Sequence, residues 1–169
     1  MVTGRATVTV EIPRGLIELL YLRAASGLDD SGGVPPVDAR HPTRATQPIS
    51  ESDWTSLWAR EVAQLGDGMA PSQSTTVRDR VLAAGTDLDD LRTWVNEVVQ
   101  KLTSDMMRNA RHDVAMADEE RGLTGGRTIG VIPVKDDLLL LAGPRLVLVS
   151  HHLRTRPKVY LAKLRELQS

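Results

Sequence analysis

The stretch TIGVIPVKDDLLLLAGPRLVLVS, Thr128 to Ser150, decides the fold class. Three apolar runs, residues 128–134, 138–142 and 146–150, are separated by Lys135-Asp136-Asp137 and by Gly143-Pro144, both of which read as turns. That spacing predicts a meander of three strands. Leu138 to Leu141 and Leu146 to Val149 are apolar at every position, the pattern of strands covered on both faces.

Outward from this core, Ala-Thr-Val-Thr-Val-Glu-Ile at 6–12 alternates, with Val8, Val10 and Ile12 on one face and Thr7, Thr9 and Glu11 on the other. It predicts a half-buried fourth strand joining the other three. After Pro13, the run Leu16, Ile17, Leu19, Leu20, Tyr21 and Leu22 is too apolar all round for a surface helix, so it belongs at the centre of the core. Residues 27–49 hold three glycines and four prolines without apolar periodicity, which predicts a long flexible loop.

Ser50 followed by Asp53 is a helix cap, opening a helix over 51–65 with Trp54, Leu57, Trp58, Val62 and Leu65 on one stripe. A short helix is expected at 77–84. From Leu88, an apolar seam runs through Leu91, Val95, Val98, Leu102, Met106, Ala110, Val114 and Ala117, predicting one helix over 87–121. At 1.5 Å per residue it would be about 50 Å long, more than a small domain covers, so it must kink or leave the core. A closing helix is expected at 156–167, with Pro157 in its first turn. The sum is a single α+β domain: a small, mostly antiparallel sheet of about four strands packed with several helices, one of them long and amphipathic.

Composition excludes several function classes. Without cysteine in the 169 residues there is no disulfide framework, thiolate zinc site or cysteine nucleophile. Glu11 and Arg14 interrupt any secretory segment, so the mature chain is expected to begin at Met1 in the cytoplasm of a bacterium, with no membrane contact. Gly122-Leu-Thr-Gly125-Gly126 lacks the Gly-Lys-Ser/Thr ending of a phosphate loop, and no Gly-x-Ser-x-Gly elbow occurs. His151 and His152 diverge on either a strand or a helix, and nothing brings His112 and Asp113 to them. No metal or cofactor is therefore expected.

The opening Thr7-Val-Thr-Val-Glu-Ile-Pro13, followed by an apolar helix, resembles the start of ribbon-helix-helix repressors over about twenty residues. That resemblance implies a strand reading the major groove. Here the outward Thr7, Thr9 and Glu11 include no Arg or Lys, and the next helix waits until Glu51.

Charge separates along the chain. The net charge is −1, yet residues 144–169 carry six basic side chains and one acidic one, leaving 15 basic and 21 acidic before them. Such a tail suits an acidic protein partner or, less well, nucleic acid, since Tyr160 is its sole aromatic. The leading expectation is a non-catalytic interaction or assembly protein. It would form a homo-oligomer through Met106, Ala110, Val114 and Ala117, with Asp118-Glu119-Glu120 facing the partner copy's basic helix. One alternative is a small enzyme that clamps an anionic substrate beneath the 27–49 loop with Arg145, His151, Arg154 and Arg156. The other is a nucleic-acid-binding regulator using residues 151–165.

Overall fold

A computed structural model describes residues 9–29, 33–68, 75–110 and 114–169, without the side chains of 75–76, 108–110 and 114–116. Four strands and seven helices run in the order β1 (Val10–Glu11), α1 (Arg14–Ala25), α2 (Glu51–Gly66), α3 (Thr75–Ala83), α4 (Leu88–Ala110), α5 (Val114–Thr124), β2 (Thr128–Ile132), β3 (Leu139–Leu141), β4 (Leu146–Ser150), α6 (His151–Arg154) and α7 (Pro157–Gln168). The class is α+β, with a four-stranded sheet and one long helix. Residues 6–8 of the expected first strand lie outside the described residues.

The sheet is mixed, where a mostly antiparallel one was expected. Its order is β1-β2-β4-β3; β1 and β4 run parallel to β2, and only the β3–β4 hairpin is antiparallel. The turn at Lys135-Asp136-Asp137 does not fold β3 back onto β2, because the chain leaving β2 is taken up elsewhere. Val134 pairs with Val37, the Lys135 amide donates to the Pro36 carbonyl and the Asp38 amide to that of Pro133. The connection then crosses the carboxyl end of β4, where the Leu138 amide donates to Ser150 Oγ, and enters the outer edge as β3. β4 is buried throughout, as a strand between neighbours should be.

β3 corrects a second expectation. Leu140 is 42% exposed and Leu141 43%, so this strand is an open edge, not one covered on both faces.

Ten residues of α1 are buried, and the helix packs against α2, α3 and α4. Each buried Leu or Ile contributes about 1.5–3 kcal/mol of transfer free energy. The tryptophans fill the space beside it: Trp54 donates its indole N–H to the Leu19 carbonyl at 2.7 Å, and Trp94 donates to that of Arg40 at 2.8 Å. Of the helix expected over 87–121, α4 and α5 are described on either side of 111–113, and these three residues, His112 and Asp113 among them, lie outside the described residues. Beyond Met107 the seam narrows to Ala110, Val114 and Ala117, and α5 packs against α7.

The loop expected to lack anchors has several in its described part. Inside the apolar α1, Arg23 donates from Nη1 to the Val34 carbonyl and from Nη2 to that of Pro35, both at 2.6 Å. The Ala45 amide donates to the Ala25 carbonyl, the Gln47 amide to that of Ala84, and the Thr43 amide to Asp90. Val34 and Ala45 are buried. Residues 33–49 therefore form an irregular strap.

Candidate functional site

The strap crosses the carboxyl ends of the parallel strands, where an open sheet commonly binds ligands. There Ser150 ends β4 and caps α6, which presents two imidazoles. His151 Nε2 lies 2.9 Å from Asp105 Oδ2 on α4, and His152 Nε2 lies 2.8 Å from Asp38 Oδ2 on the strap. Lys101 Nζ, one turn before Asp105, is 3.6 Å from the same Asp38 oxygen. Burial pushes the His151 imidazole below its ordinary value, more than Asp105 draws it up. Burial raises the Asp38 carboxyl, but Lys101 and His152 outweigh it and leave it low. Among the described residues no three His, Asp or Glu side chains are placed to hold a metal.

The residues named from sequence as an anion clamp are not gathered into one. Arg145 precedes β4 and His151 follows it, so the strand's five residues hold them roughly 20 Å apart. Arg154 forks onto Glu120, Nε to Oε2 and Nη2 to Oε1, each at 3.1 Å. Burial alone would lower the Arg154 guanidinium, but Glu120 more than restores it. Arg156 pairs with Asp137, and Arg165 with Glu119. The acidic stretch on α5 thus meets the basic tail of its own chain.

Of the residues named for a helical interface, Met106 is half-buried against the core and Ala117 is exposed. The side chains of Ala110 and Val114 lie outside the described residues.

The surface that sequence reading missed is the β3 edge. On one face, Leu140 and Ala142 share a cleft with Trp58 and Val62 of α2. On the other, Leu141 lines a cleft of about 250 Å³ with Leu164 and Leu167 of α7, and Leu139 borders a third beside Lys163 and Glu166. Gly66 makes the first arrangement attainable: a Cβ there would strike the Ala142 carbonyl, so only glycine lets the end of α2 approach the β3–β4 turn this closely. The sequence signal was the shortness of the leucine run, confined between Asp137 and Gly143-Pro144.

Among the described residues no helix is long and apolar enough to cross a membrane. Comparison with family models, with curated proteins and with solved structures gave no match.

Proposed function

We propose that this chain is a non-catalytic interaction or assembly module whose working surface is the β3 edge with its flanking clefts. One observation carries the reading: a strand of three leucines has an apolar cleft on its α2 face, a cleft of mixed polarity on its α7 face and, among the described residues, no strand paired on its outer side. An open, apolar strand edge is a template for another strand. The cytoplasm is the compartment that goes with this reading. The seam of α4 and the basic α7 are subsidiary surfaces in it.

The test is hydrogen exchange at the Leu139 and Leu141 amides, first as protein concentration rises and then as a capped peptide of alternating Leu and Thr is added. Slower exchange in either titration supports a docking edge. Fast exchange in both rejects it.

A second reading, an enzyme acting on an anionic substrate beneath the strap, is favoured by the pairing of His152 and Lys101 with Asp38. An anion bound there would compete with Asp38 for Lys101 and the His152 ring N–H. Inorganic phosphate at millimolar concentration would then move the His151 and His152 ring resonances, and unmoved resonances would discard this reading.

A further inference from the structure

α5 ends at Thr124, and Gly125 and Gly126, both at positive φ, turn the chain so that Arg127 comes just before β2. Its Nη1 donates to the Thr124 carbonyl at 3.0 Å, which engages one nitrogen of the guanidinium. The buried Nε has no partner, and among the described residues no carboxylate pairs with Arg127. A Cβ at Gly125 would lie 3.3 Å from Nη1, so the turn passes close enough to the fork to limit where it sits.

That side chain lines the cleft of about 250 Å³ between the sheet and α7. Leu141 and Val147, registered partners across β3 and β4, meet Leu164 and Leu167 of α7 there, and Leu123 of α5 completes the apolar wall. Val147 and Leu164 are almost fully buried while Leu141 and Leu167 are exposed, which gives the cleft a dry interior and an open rim. Among the described residues Arg127 is the one charged group in its lining, beside Thr124 and Gln168.

We propose that this cleft binds a small unbranched aliphatic carboxylate, its head on the Nε–Nη2 edge of Arg127 and its chain among the leucines. The inference concerns the interior of one cleft and not the β3 edge, so it stands or falls apart from the interaction reading.

Three features select that class. A carboxylate has two oxygens matched to the parallel donors of a guanidinium edge, and the bond to Thr124 leaves that edge unused. An anion there also supplies the counterion that a partly buried cation otherwise lacks. The volume lies below the roughly 300–1,000 Å³ of sites that hold drug-sized ligands, so one short chain fits where a two-chain lipid or a nucleotide does not. The Thr124 hydroxyl is already donated to the Arg121 carbonyl at 3.3 Å. Beyond Arg127 and Gln168 the wall therefore offers little to a sugar, a nucleobase or a peptide backbone, whose polar groups would be buried unpaired.

Methyl NMR of the full chain titrated with octanoate tests the site. The Leu141, Leu164 and Leu167 resonances are expected to shift together and saturate with a single dissociation constant. Hexanoate should bind about sixteenfold more weakly, each of the two missing methylenes accounting for roughly fourfold. Octanol, equal in chain but uncharged, should bind about tenfold or more below octanoate. Arg127→Met keeps an apolar stem and removes the fork, so it should abolish the preference for octanoate while octanol still binds. The chain-length and head-group comparisons on the native protein decide the matter even where that variant fails to fold. No saturable shift at millimolar octanoate overturns the proposal. Octanol binding the native chain as tightly as octanoate, or shifts centred on Trp58 instead, overturns it equally.

Discussion

Arg154 and Glu120, thirty-four residues apart in sequence, form a two-pronged ion pair whose carboxylate is 1% exposed, and the Tyr160 ring is buried with them. Removing Glu120 leaves a largely buried guanidinium charged and without its counterion. Glu120→Ala is therefore expected to cost about 3–5 kcal/mol in urea unfolding, whereas Glu120→Leu with Arg154→Met should recover most of the loss. Equal damage from single and double variants would show that packing, not charge, governs this contact.

Stability should decline in mild acid because of His151. Its folded imidazole takes a proton less readily than the unfolded one, so the unfolded chain gains protons first as the pH falls below about 6.5. The contribution is complete above that value and shrinks below it until the lower, folded value is passed. Asp38 and Asp90 are both held below the usual carboxylate range, so their contributions persist until more acidic pH and then disappear. Urea midpoints at pH 7.5, 6.5 and 5.5 check the upper step, which His151→Gln should flatten.

The strap depends on Arg23. Arg23→Met is expected to free the Val34 and Pro35 carbonyls and to open residues 33–49 to proteases, while the native chain resists cutting there. Peptide mapping after brief trypsin and thermolysin digestion reads the difference. Preferential cleavage of the native strap would show that its anchors are weaker than their geometry implies.

Two aspartate substitutions in adjacent strands should behave oppositely. Val147 is 3% exposed in the middle of the sheet, and Val147→Asp would bury an unpaired carboxylate, with loss of soluble protein. Leu140→Asp changes a side chain already open to solvent and should leave the subunit folded. Expression yield and circular dichroism distinguish the two, and failure of Leu140→Asp to fold would show that β3 is covered after all.

What the sequence made legible was local. The Ser50 hydroxyl does accept the Asp53 amide, Pro157 does open the last helix, and β4 spans the residues its apolar run marks. Strand order was hidden because it is set by where residues 133–138 travel, and that path depends on backbone groups of Pro36 and Val37 that leave no side-chain pattern. Four consecutive leucines read the same whether a strand is central or is an edge between two clefts. Arg23, a cation set within the apolar run of α1, was the visible sign that the following loop is held.

The seating of β4 between β2 and β3 governs the order in which the chain can be built. β1 must wait through more than a hundred residues for β2, and β2 then waits for a strand made after the one it precedes. On a ribosome that delivers the chain from its first residue onward, α1 emerges apolar on every side long before the sheet can close. β4, made after the other three strands, commits the sheet to its order, and a nascent chain halted just before Leu146 would hold β2 and β3 with nothing between them.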